Sequence, residues 1–121
     1  MPFWRDLIAE LDTPSNQVGP LHAAYERGVI GMGHGLVGAL LGAVAGLFGA
    51  EPWLAALIVA PLYWLGKEVG DLRRGGTVAD GAEDAACVGL GALYSGPVIF
   101  PAGMLAMGLW LMWRGYAQGN R

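Results

Sequence analysis

Three long stretches of this 121-residue chain contain no Asp, Glu, Lys or Arg: Gly28 to Ala50, Pro52 to Gly66, and Ala85 to Trp113. Charged residues make up 14% of the chain, against about a quarter in an ordinary soluble domain. Hydrophobic residues make up 55% and the mean hydropathy is +0.45. So short a chain has room for one domain only, and in water its high surface-to-volume ratio demands many polar side chains. Too few are present, so the sequence predicts a surface covered by lipid. The lone cysteine, Cys87, excludes a disulfide framework and a cysteine zinc motif, leaving it a small packing residue. The net charge is −3 and there is no basic stripe, which disfavours nucleic-acid binding. The segment GDLRRGGTVADG lacks the Gly-Lys-Ser/Thr ending of a phosphate loop and reads as a turn. Neither Ser15 nor Ser95 stands in a nucleophile-elbow pattern, and no motif for a cofactor or a metal is found.

What is present is apolar sequence of roughly the length a bilayer needs, about 20 residues of helix for about 30 Å of hydrocarbon. The fold class expected is therefore all-α: an integral membrane helical protein with an N-terminal amphipathic interfacial helix and about three transmembrane helices. The expected spans are residues 28–50, 52–68 and 85–113, with 69–84 as a polar cytoplasmic loop. The third stretch is long and contains Pro97 and Pro101, each removing a backbone donor. It reads either as one tilted, kinked span or as a re-entrant hairpin turning at Tyr94 to Pro97. One span is favoured, because two helices of about 13 residues would each be too short to cross.

Residues 1–20 lack the basic start, apolar middle and cleavage site of a signal peptide. Phe3, Trp4, Leu7, Ile8 and Leu11 recur at helical spacing, with Arg5, Asp6, Glu10 and Asp12 on the opposite side. This segment reads either as an amphipathic helix in the membrane interface or as a helix packed on the rest of the protein. Trp4, Trp64 and Trp113 would be interfacial anchors, together with the cations Arg73 and Arg74. Lys and Arg favour the cytoplasmic side, which places the N-terminus and the 69–84 loop there and Glu51 outside. Three spans then leave Arg114 and Arg121 outside, whereas a re-entrant third segment returns them to the cytoplasmic side.

Glycines recur every three or four residues in the first span, at Gly31, Gly35, Gly38, Gly42 and Gly46. In lipid such a ridge lets another backbone approach closely, so packing drives association. Its expected partner is either the second span or a second copy of the chain. If the first two spans form a hairpin at Glu51, residues equidistant from the turn share a depth. His34 and Glu68 each lie 17 residues from Glu51. Asp71 follows Glu68 on the same helix face, and Asp84 opens the third stretch at the same level. His34, Glu68, Asp71 and Asp84 form the candidate polar cluster. It reads either as an interfacial network with Lys67, Arg73 and Arg74 or as a site that moves protons, holds an ion or acts as acid and base.

The pattern His34-x-x-x-Gly38, an apolar hairpin and then YWLGKE resembles small membrane proteins of tailed bacteriophages and prophages, some of them holins. That resemblance covers roughly Gly33 to Glu68 and implies a protein that oligomerises in the bacterial inner membrane and opens it, by assembly and without catalysis. The stretch KEVGDLRRGGTVADGAED is similar to one in VanZ-like membrane proteins, and that likeness implies His34, Glu68, Arg74 and Asp80 as site positions. The function expected is holin-like permeabilisation by a homo-oligomer in the lipid bilayer. The alternatives are a structural subunit of a larger virion or envelope complex, and a small membrane enzyme or ion-handling protein built on the polar cluster.

Overall fold

The computed structural model of the protein describes residues 2–14, 17–73 and 78–119, and among these it is all-helical. Five helices follow one another: α1 (Pro2–Asp12), α2 (His22–Leu47), α3 (Pro52–Arg73), α4 (Val78–Ala92) and α5 (Ile99–Ala117). Helix α1 begins on Pro2, whose missing N–H costs nothing in a first turn. Helix α2 closes in a Schellman motif. Ala50 N–H donates to the Ala45 carbonyl at 3.1 Å and Gly49 N–H to Gly46 at 3.0 Å, and Gly49 takes the left-handed φ of 85° that this geometry requires. Glu51 then caps α3 with its carbonyl, which accepts from Ala55 N–H at 2.9 Å, and Pro52 fills the first helical position.

Helix α4 is the centre of the molecule, packed against both α2 and α3. Arg27 meets Glu83, while Gly38 lies against Val88 and Gly42 against Ala92, so α2 and α4 run in the same direction. Lys67 meets Asp84 and Ala60 approaches Gly89, so α3 runs the opposite way. The core they enclose is made of small side chains: Ala39, Ala43, Ala55, Ala85, Val88 and Ala92. The large ones face outward, among them Val29, Ile30, Leu57, Ile58, Leu62 and Leu65. Among the described residues one helix, α2, is long and apolar enough to cross a membrane, and only 22% of its most apolar window is buried. A core helix of a water-soluble protein would be mostly covered.

Two boundaries differ from those the sequence suggests. The charged segment 69–84 is not a loop, because α3 continues through Arg73 and α4 starts at Val78. Charge does not break a helix that can pair or hydrate it, and only residues 74–77 separate the two elements. The stretch 85–113 is also not one continuous helix: α4 ends at Ala92 and α5 begins at Ile99. Pro97 disfavours helical geometry at the residue before it, and a helix through 97 and 101 would lose the i→i−4 bond of each proline. The chain turns instead, with Leu93 and Tyr94 N–H groups donating back to Leu90 and Gly91 at 3.2 and 2.9 Å and the Tyr94 hydroxyl donating to the Pro97 carbonyl at 3.0 Å. Pro101 falls in the first turn of α5, where its missing donor is harmless, and it is fully buried.

Candidate functional site

The glycine ridge of α2 is where α4 sits. A Cβ on Gly38 would collide with the Val88 carbonyl and lie 2.9 Å from Val88 Cα, and one on Gly42 would meet Ala92 in the same way. Gly91 answers from α4, since a Cβ there would strike the Gly35 carbonyl. Gly31 and Gly35 lie at ordinary contact distance from Cys87, with 3.5 Å to Sγ and 3.7 Å to the carbonyl oxygen. Gly46 faces open space. The expected close approach is therefore made within one chain, but by the helix from the third stretch and not by the second span.

That approach carries three polar side chains to one place. Asp84 projects from α4 about four-fifths buried, and its Oδ2 is paired with Lys67 Nζ of α3. On its other side stands His34 of α2, with Nδ1 3.7 Å from Asp84 Oδ1. The same Nδ1 is 2.8 Å from the Ile30 carbonyl. A carbonyl can only accept, so Nδ1 carries a proton and donates it to Ile30. Tyr63, one turn before Lys67 on α3, sets its ring edge-on to His34 with centroids 5.9 Å apart. One carboxylate thus stands where three helices meet, paired with Lys67 and beside His34. Leaving any of these charges unpaired at such burial would cost about 3 kcal/mol or more.

Of the four residues expected to cluster, His34 and Asp84 come together, and Lys67 is their third member. The side chains of Glu68, Asp71 and Asp80 lie outside the described residues, as does Arg74. Trp4 and Trp113 are exposed, at 58% and 66%, and Arg73 is exposed at the end of α3. Trp64 is half-buried. Among the described residues no three His, Cys, Asp or Glu side chains gather as a metal site.

A second polar site was not legible in the sequence. Glu10, expected on the outer face of α1, is buried at 6% exposure. Its Oε2 accepts from Leu21 N–H at 3.1 Å, and Oε1 is 3.2 Å from His22 Nδ1. The other ring nitrogen of His22 is 3.2 Å from Glu26 Oε1. Leu21 cannot cap α2 with its own side chain, so a carboxylate from eleven residues upstream takes that role at the positive end of the helix dipole. Gly19 makes room, because a Cβ there would run into the Glu10 carboxyl group.

Between α2 and α4 runs an open groove of about 1270 Å³. Its floor is Gly31, Gly35, Cys87 and Gly91, and Met32, Leu36 and Leu90 form its sides. Arg27, Glu83, Lys67 and Asp84 stand at one end. Arg27 Nη2 donates to both Glu83 carboxylate oxygens, at 3.3 and 3.1 Å. No family model, curated protein or solved structure matches this chain.

Proposed function

We propose that the chain is a small multi-pass protein of a bacterial inner membrane that assembles with copies of itself and opens the membrane, as a holin does, by assembly and without catalysis. The observation that supports this reading best is α5. Five consecutive residues, Leu109, Trp110, Leu111, Met112 and Trp113, are 48 to 66% exposed. Five residues sweep more than a full helical turn, so this part of α5, beyond the buried Pro101 of its first turn, is apolar and uncovered on every side. Lipid and neighbouring copies are the surroundings that suit such a helix.

Arg27, Lys67 and Arg73 belong to the same end of the molecule, and the turn at Gly49 to Glu51 to the other. By the positive-inside bias the first end is cytoplasmic. With α4 and α5 as separate segments, the chain leaves that end on α4 and returns on α5. This brings Arg114 back to the cytoplasmic side. Because α4 fills the ridge at Gly38 and Gly42, association between copies falls to α5 and to the outer faces of α2 and α3.

Induced expression tests the proposal. Growth should stop abruptly with loss of membrane potential, and Met107→Cys in a Cys87→Ala background should give α5-to-α5 disulfides. Abundant membrane-inserted protein that stays monomeric and leaves the potential intact refutes it. A second reading, an ion- or proton-handling protein, is favoured by the His34–Asp84–Lys67 contact. Loss of ion flux in His34→Ala, with unchanged assembly, would select it.

A further inference from the structure

The groove between α2 and α4 has the form of an amphiphile site, and its charges say which amphiphile. Its volume of about 1270 Å³ exceeds the roughly 300–1,000 Å³ of ordinary small-molecule pockets. The floor is lined by small residues, which leave an apolar channel along two helices between Met32 and Leu36 on one side and Leu90 on the other. The mouth carries two cations and two carboxylates within one level of the bundle. Among the described residues that line it, the two signs balance. The mouth offers a place for both charges of a zwitterion.

We propose that this groove binds a phospholipid of the phosphatidylethanolamine type, with an acyl chain along Met32, Leu36 and Leu90 and the headgroup between Arg27 and Glu83. The phosphate lies against the Arg27 guanidinium, whose planar fork suits phosphate oxygens. The ammonium donates to Glu83. Arg27 and Glu83 are 72% and 61% exposed and bonded to each other, so a headgroup inserted between them gives each ion a new partner of the same sign as the old. Asp84 stays with Lys67 and anchors the floor of the mouth. Choline is disfavoured on chemical grounds: its quaternary nitrogen has no N–H to donate, and among the described residues no aromatic face lines the groove to hold it. The proposal rests on the membrane reading above.

The test is native mass spectrometry of the detergent-purified full chain titrated with phosphatidylethanolamine, phosphatidylcholine and phosphatidylglycerol. One charge-assisted hydrogen bond is at stake, so ethanolamine lipid should bind about tenfold more tightly than choline lipid. Glu83→Gln should erase that preference, and Glu83→Lys should shift it toward the anionic lipid. Gly31→Leu, which fills the floor from a Cβ position in ordinary contact with Cys87 Sγ at 3.5 Å, should lower retention of all three. Equal retention of the three lipids, unchanged by Glu83→Gln, overturns the site. So does a disulfide between Met32→Cys in one copy and Met107→Cys in another, both in a Cys87→Ala background, because it would seat a helix in the groove. A chain that stays monodisperse in buffer without detergent removes the membrane reading itself, a different failure from either of these.

Discussion

Gly38→Ala adds a single methyl group, yet it should be among the most damaging small changes available to this protein. The new Cβ would overlap the Val88 carbonyl and stand 2.7 Å from its carbon and 2.9 Å from Cα. These are backbone atoms of a helix, unable to rotate away as a side chain would, so α2 and α4 must separate. Overpacking of this kind costs about 1–3 kcal/mol, and the upper end applies because the whole interface opens. Gly46→Ala on the same helix is the control. Its Cβ would meet nothing within 4 Å, and Ala is favoured over Gly in a helix by up to about 1 kcal/mol. The propensity gain is common to both variants, so they should differ by the overpacking cost alone, about 1–3 kcal/mol, a separation on the order of 10 °C in midpoint for a domain of this size. Cys87, half-buried and the only cysteine, reports unfolding through a thiol-reactive fluorogenic dye during a thermal ramp in detergent. Gly91→Ala, which strikes the Gly35 carbonyl from the other side, should resemble Gly38→Ala. Equal midpoints for Gly38→Ala and Gly46→Ala would mean that α4 does not occupy the ridge, and the helix order would have to be redrawn.

Asp84→Leu should destabilise by about 3 kcal/mol, because it removes the carboxylate that Lys67 pairs with at low exposure, whereas the double change Lys67→Met with Asp84→Leu should recover most of the loss; thermal midpoints of Lys67→Met, Asp84→Leu and the double close the cycle. Glu10→Gln removes the carboxylate that caps α2 and faces His22, at a cost of about 1–3 kcal/mol, and amide exchange at Leu21 should accelerate while the α4 amides stay protected. Glu83→Gln breaks only an exposed pair and should leave the midpoint within about 0.5 kcal/mol of the parent. Tyr94→Phe deletes the bond to the Pro97 carbonyl and should cost about 1 kcal/mol, measurable by the same dye ramp.

What the sequence discloses and what it withholds divide along physical lines. Helices α1, α2 and α3 were legible because helix formation is local: apolar runs, Pro52 at a first turn and Gly49 at a C-terminus are all read within a few residues, whereas α4 starts inside the charged segment expected as a loop. The depth relation was legible as well, since equal rise per residue puts His34 near Lys67 once the turn is placed at Glu51. The partner of the glycine ridge was not. A small-residue stripe states that something approaches closely, but says nothing of which helix does so, and Gly91 on α4 is the reciprocal notch that a search for matching small residues would have found. Glu10 was missed for a different reason. An acidic residue among Arg5, Asp6 and Asp12 looks like solvated surface, and its burial depends on Gly19 and Leu21 folding back over it. Lys67 reads in the sequence as an interfacial cation because its carboxylate lies on another helix, seventeen residues along the chain.

The same division bears on the medium around the protein. In water, burial of a large apolar side chain is worth about 1.5–3 kcal/mol, and α5 alone leaves Ile99, Phe100, Leu109, Leu111, Met112 and Trp113 between 52 and 76% exposed. The forgone stabilisation is on the order of 10 kcal/mol, as large as the entire net stability of a typical domain. A core of Ala, Gly and Val cannot offset it, because small side chains bury little area each. In hydrocarbon both terms change. Outward-facing Leu and Trp lose nothing there, and small residues at the interface are what allows helices to approach closely enough to attract one another. The Lys67–Asp84 pair then fits as well: in a low-dielectric slab charges must find one another, and an ion pair between α3 and α4 sets their mutual depth more sharply than apolar packing can. On this reasoning the order of helix association is itself testable. Separating α4 from α2 and α3, by expressing residues 1–73 with residues 78–121 supplied as a second polypeptide, should still yield a complex in membranes, and Asp84→Leu in the second piece should abolish its recovery with the first.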